Sequence, residues 1–389
     1  MTAPARPGGV RLGRVLGVPV HVAPTWFLFA GLVVITYGPA LTPDVGAARA
    51  YTAAAAFAVL LLLSVLLHEL GHCAVARAFG LPVRSITVTF LAGLTEVTEP
   101  PQTPGREYAV AVVGPMVSLL LAGLGAGAAA VLEPGSLPHL LALGTAAVNG
   151  VVAGFNLLPG LPLDGGRVLR AAVWRLTGDG DRATVVAAHA GRVVAVVVVP
   201  LVVLVGLPLL GLGGPTATTA VFAALVAVFV FAGANGTLQR ARVVARLGPG
   251  TVDRLARPAL VVPPDLPVAE AVRRAQEAGR HAVVVADPAG RPLAVVDEQA
   301  VKALPEDRRP WVDVRAVARS VEPRTVLDPR LGGEDLLTAL RTRPAPAYLV
   351  DGLVDGLVDG SVGGPGEPRV LVTEDVVRLA AARRRSRRG

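Results

Sequence analysis

The chain has 389 residues, of which 52% are hydrophobic and only 17% charged. With a mean hydropathy of +0.57, that balance excludes an ordinary soluble enzyme and predicts a polytopic α-helical membrane protein. The net charge of +8 comes from arginine, with Lys302 the one lysine; it reads as a compositional excess, and nucleic acid is not an expected partner.

Six apolar segments are long enough to cross about 30 Å of hydrocarbon. They run from Val18 to Gly38, Tyr51 to Phe79, Ala109 to Leu132, Leu137 to Leu163, Val185 to Leu212 and Thr216 to Leu238. Arg6, Arg11 and Arg14 precede the first, and Arg77 and Arg84 follow the second. Arg167, Arg170, Arg175 and Arg182 lie between the fourth and fifth; Arg240, Arg242 and Arg246 follow the sixth. The alternate loops hold little beyond Asp44, Arg49 and Glu133. Positive charge is retained on the cytoplasmic side, so both termini are expected there. The first segment lacks the short apolar core and small-residue site of a cleavable signal peptide.

The second segment carries the chemistry. Tyr51 to Leu67 holds no charged side chain, and then His68-Glu69-Leu70-Gly71-His72 follows. Ionisable groups at such depth are costly and mark function. Residues four apart share a helix face, so His68 and His72 can point at one metal ion. Glu69 lies about 100° around from His68, within reach of a water beside the ion. This is the pattern of zinc hydrolases, in which the ion acidifies water and a glutamate moves its proton. Cys73 points away from His72 and reads as a packing residue. His21, His139, His189 and His281 are scattered single residues. After this helix, Ile86, Val88 and Phe90 alternate with Ser85, Thr87 and Thr89, which predicts a strand. With a turn at Ala92-Gly93 and a return over Leu94 to Val97, the region reads as a membrane-associated β-hairpin whose edge could receive an extended peptide. Gly105, Gly114 and Pro115 fit close packing or a break in the third segment.

Catalytic zinc takes three protein ligands and leaves one position open. The fourth segment closes with Asn156-Leu157-Leu158-Pro159-Gly160-Leu161-Pro162-Leu163-Asp164-Gly165-Gly166-Arg167, where prolines and glycines break the helix around Asp164. Broken backbone at membrane depth needs protein or a water-filled cavity around it, so Asp164 is the candidate third ligand. The alternative is an Asp-Gly turn at the membrane surface.

Two motifs in this order, HELGH and then Asn-x-x-Pro-x-x-Pro-x-Asp-Gly-Gly, resemble the site-2 protease family of intramembrane zinc metalloproteases over residues 10 to 240. The resemblance implies one Zn2+ held by His68, His72 and Asp164, with Glu69 as general base. It implies that Asn156 holds the substrate carbonyl or its oxyanion; a helix-packing asparagine is the alternative. It further implies a transmembrane protein substrate, such as a membrane-tethered transcription regulator or an anti-sigma factor, and a bacterial cell membrane as the location. A membrane metal transporter and an inactive protease-like scaffold are the rival functions. A transporter has no need of Glu69 as a base.

Residues 1–246 are expected to form the membrane-embedded domain and 247–389 a cytoplasmic one. In the second, strands Ala259 to Val262, His281 to Ala286 and Pro292 to Val296 surround a helix from Pro267 to Glu277. Strands Arg324 to Leu327, Ala347 to Val350 and Arg369 to Val372 surround a second helix from Gly333 to Leu340. This duplicated β-α-β-β-α order resembles a tandem CBS pair, which allows a homodimer through that domain. The resemblance implies a nucleotide signature of Gly, two apolar residues, Thr or Ser, two further residues, then Asp. Ala294 to Ala300 lacks it and Val370 to Val376 carries its acid one residue early, so nucleotide binding is not expected. The Asp-Gly-Leu-Val repeat of Asp351 to Gly360 reads as loop expansion, and Arg383 to Arg388 as a basic tail suited to anionic lipid.

Overall fold

The computed structural model describes residues 9–89, 93–97, 101–206, 216–321, 325–350 and 368–381. The turn residue Ala92, the Asp-Gly-Leu-Val repeat and the basic tail lie outside them. The chain forms two compact units, Met1–Gln239 and Arg240–Gly389.

The first unit opens with a strand pair, β1 (Val10–Val15) and β2 (Val18–Val22), before helix α1 (Pro24–Val45). This corrects the first expected span. Val18-Pro19-Val20-His21-Val22 alternates, so its valines face one side of a sheet and are buried. Pro24 then occupies the first helical turn, where its missing N–H costs nothing. What remains apolar in α1 is the shorter stretch Pro24–Pro39. Among the described residues, five helices rather than six are long and apolar enough to cross a membrane: Ala47–Ala78, Pro104–Val131, Leu137–Asn156, Gly180–Val205 and Thr219–Arg246.

The expected hairpin forms as β3 (Val83–Val88) and β4 (Gly93–Val97), antiparallel with Ile86 opposite Thr95. It is not a free hairpin, because β2 pairs parallel to β3 with Val20 opposite Ile86. The result is a four-stranded sheet in the order β1-β2-β3-β4. Its inner face packs Val18, Val20 and Ile86 on Cys73 of α2 (Ala47–Ala78), so Cys73 is a core residue.

Helix α3 (Pro104–Val131) packs on α2 and on α4 (Leu137–Asn156). The chain then folds through residues 157–163 and re-enters helix at α5 (Asp164–Thr177). Arg167, Arg170 and Arg175, expected between two spans, thus stand on this short amphipathic helix. Backbone meets backbone in this bend: a Cβ on Gly160 would come within 2.6 Å of Gly191 N, and one on Gly165 would strike Leu158 O at 2.5 Å. Helix α6 (Gly180–Val193) continues through π-helical turns at Val194–Val198 and Val202–Gly206. Helix α7 (Ala217–Arg246) follows, and its Gly233 seats Pro162, with a Cβ there 2.6 Å from Pro162 Cγ.

The second unit holds a seven-stranded sheet in the order β8-β7-β6-β5-β11-β10-β9. In the first half, β5 (Arg257–Val262) lies parallel to β6 (Ala282–Ala286), which is antiparallel to β7 (Pro292–Val296). The second half repeats that pairing with β9 (Val326–Leu327), β10 (Ala347–Val350) and β11 (Arg369–Val372). The short edge strand β8 (Ala318–Ser320) carried no sequence signal. Leu336, Tyr348 and Leu371 are fully buried in one core of this unit. Leu336→Ala is expected to cost about 2–5 kcal/mol and to expose this unit to limited proteolysis in the full-length protein. An unchanged digestion pattern would contradict that packing role.

Candidate metal centre

Helix α2 places His68 and His72 one turn apart, and both are buried, with about a twentieth of their surface exposed. Their rings meet edge to face, with His68 Nε2 3.2 Å from His72 Nε2. Asp164, the first residue of α5, brings Oδ2 to 3.1 Å from His68 Nε2 and 3.2 Å from His72 Nε2. Three sequence-expected ligands, from positions 96 residues apart, therefore converge on one point.

The outer ring nitrogens have partners on α3, and that of His72 fixes its tautomer. His72 Nδ1 lies 2.6 Å from Val110 O, and a carbonyl only accepts, so Nδ1 carries the proton. His68 Nδ1 lies 2.9 Å from Ser118 Oγ. Such outer hydrogen bonds hold metal-ligating imidazoles in place. With both Nε2 atoms unprotonated, as ligation requires, two nitrogens and a carboxylate oxygen within 3.2 Å of one another would repel unless a cation sat among them. Their separations approach the tetrahedral edge of about 3.3 Å that follows from ligand distances of about 2.0 Å around zinc. The donor set fits zinc.

Glu69 stands beside this cluster, with a carboxylate oxygen within 4.8 Å of both imidazoles. Thr95 of β4 donates its hydroxyl to Glu69 Oε2 at 2.6 Å. A Cβ on Gly93 would lie 2.5 Å from Glu69 Cδ, so β4 approaches the glutamate as closely as a glycine permits. Gly114 of α3 does the same for the histidines: a Cβ there would lie 2.6 Å from His68 Nε2 and closer to His72 Nε2.

Asn156 ends α4, half-buried, and among the described residues its side chain makes no hydrogen bond to His68, His72 or Asp164. The buried asparagine bonded across helices is instead Asn149, which donates to Ser64 Oγ at 3.0 Å. Sequence reasoning missed Thr95, Ser118, Glu107 and Arg167 as partners of the site. One signal was available: Glu107, Val110, Gly114 and Ser118 recur at helical spacing.

The model of the family described as Peptidase family M50 matches residues 56–138 and 135–199. Rip3 of Mycobacterium tuberculosis, which carries a zinc-metalloprotease name, is 33% identical over 87% of this chain and 85% of its own length. The sll0528 protein of Synechocystis, similarly named, is 39% identical over 47% of this chain; the match spans about half, 49%, of that relative. The solved site-2 protease from Methanocaldococcus jannaschii aligns at 27% identity and a TM-score of 0.41, over 59% of this chain and 94% of that one. With the match to Rip3 extending over most of both sequences, the chain belongs to peptidase family M50, the site-2 protease family of membrane zinc metalloproteases.

Proposed function

We propose that this chain is an intramembrane zinc protease that hydrolyses peptide bonds within transmembrane substrates. The observation that carries the reading is the meeting of His68, His72 and Asp164 at 3.1–3.2 Å with Glu69 alongside. When bound there, zinc would supply Lewis-acid polarisation of the scissile carbonyl and a lowered pKa for water. The chain's own residues do the rest. Glu69 takes a proton from water as the water oxygen bonds to the carbonyl carbon. It returns that proton to the leaving amine as the C–N bond breaks. Asn156, partly exposed at the end of α4, is the proposed donor to the substrate carbonyl as negative charge grows there.

In this reading residues 1–246 form the protease domain of a bacterial plasma-membrane protein, and its substrate is a membrane-tethered regulator or anti-sigma factor. Residues 247–389 form a cytoplasmic module like a CBS pair; its repeated strand pairing supports that. The cleft between its halves is lined by Asp297, Glu298 and Glu374, and its Arg319 is already paired with Asp297 at 2.7 Å. Acidic lining disfavours phosphate, so millimolar ATP or AMP is expected to leave turnover unchanged. A change in turnover, or saturable nucleotide binding to the full-length protein by calorimetry, would contradict the reading of the acidic lining.

The direct test is metal content. His68→Ala, His72→Ala and Asp164→Ala should each lower zinc occupancy of detergent-purified protein, because each removes one of three ligands. Full occupancy and activity in Asp164→Ala would move the third ligand elsewhere.

A further inference from the structure

We infer that Glu107 is a positioning residue for Asp164, acting through Arg167. The inference rests on the reading of His68, His72 and Asp164 as zinc ligands. Glu107 lies in the first turn of α3 and is 3% exposed. A carboxylate so buried persists as an anion only with paired charge. Its partners both come from α5, the helix that Asp164 begins. Arg170 Nη1 bonds Glu107 Oε2, and Arg167 Nε stands 3.7 Å from Glu107 Oε1.

Arg167 also faces the ligand. Its Nη1 is 4.0 Å from Asp164 Oδ1, while Oδ2 is the oxygen turned to the two imidazoles. One guanidinium thus spans Glu107 and Asp164 and distinguishes the two oxygens of the ligand. Arg170 is held in turn by Thr184 Oγ1 at 2.7 Å and by the Trp174 ring at 5.3 Å, so the carboxylate that orients Arg167 is itself fixed. Val110 and Ser118 hold the two histidines from the same helix. A single face of α3 therefore sets all three ligands, the aspartate by way of an arginine.

A purely structural clamp between α3 and α5 would fasten the helices without tuning the metal. The two roles separate in zinc affinity, measured by chelator competition on full-length protein, and in the visible spectrum of the cobalt(II)-substituted protein. Arg167→Gln leaves the Glu107–Arg170 pair intact, so it tests the link with little risk to folding. It is expected to weaken zinc binding about 10- to 100-fold, the usual effect of losing an outer partner, and to shift the cobalt spectrum as Asp164 gains freedom. Glu107→Gln should do the same, and the double variant no more than the larger single effect, because both act on one link. Asn149→Ala, which removes a buried hydrogen bond away from the ligands, should leave affinity unchanged. Parental affinity and spectrum in Arg167→Gln, with zinc lost in His68→Ala, would overturn the positioning role alone. Zinc retained in His68→Ala would overturn the metal centre on which it rests.

Discussion

Glu69→Gln will abolish cleavage while zinc stays bound. The amide keeps the shape of the carboxylate and can still accept the Thr95 hydroxyl that lies 2.6 Å from Glu69 Oε2, so the local packing survives. It cannot take a proton from water or return one to an amine. Loss of a general base typically costs about 100- to 10,000-fold. The loss here is expected at or beyond the upper end, because among the described residues no other carboxylate joins the two imidazoles and Asp164. The measurement is turnover of a membrane substrate in liposomes beside metal content of the same preparation. Near-parental turnover would remove Glu69 from the general-base role.

Gly114→Ala should remove the metal without touching a ligand. The added methyl would lie 2.6 Å from both His68 Nε2 and His72 Cε1, at the place where the ligand atoms converge. Neither ring can swing away cheaply, since Val110 and Ser118 of the same helix hold their far nitrogens. Zinc affinity is expected to fall by more than the roughly 10- to 100-fold lost with an outer partner. Gly127→Ala on the same helix meets nothing within 4 Å and should bind zinc as the parent does, with slightly better helix propensity. Stoichiometric zinc in Gly114→Ala would show that α3 can retreat and that the close approach is not needed.

The two histidines and Glu69 were legible because their chemistry is compressed into one helical turn. Asp164 was legible because prolines and glycines interrupt an apolar run just where it stands. Their supporting partners were not. Val110 contributes a backbone carbonyl, which has no signature in sequence, and Thr95 and Ser118 are ordinary polar residues until helix crossing and strand register bring them in. Arginines 167 and 170 counted as loop charges in the orientation argument; only the helix they share with Asp164 turns them towards Glu107. The strand at Val18–Val22 was absorbed into the apolar run that follows, although Pro24 marks where helix can begin. In the C-terminal unit the duplicated pattern fixed most strands, while β8, three residues long, is too short for periodicity to register.

The spacing of the ligands has a consequence for biosynthesis. His72 and Asp164 are 92 residues apart, so at about 5–20 residues per second the aspartate is synthesised on the order of 5–20 s after the second histidine. Until then a nascent chain presents two nitrogens and no carboxylate, with α5 still unmade. A half-inserted molecule is therefore chemically mute, and hydrolytic power arrives only once most of the bundle is in the bilayer. On the proposed function, chain order thus delays activity.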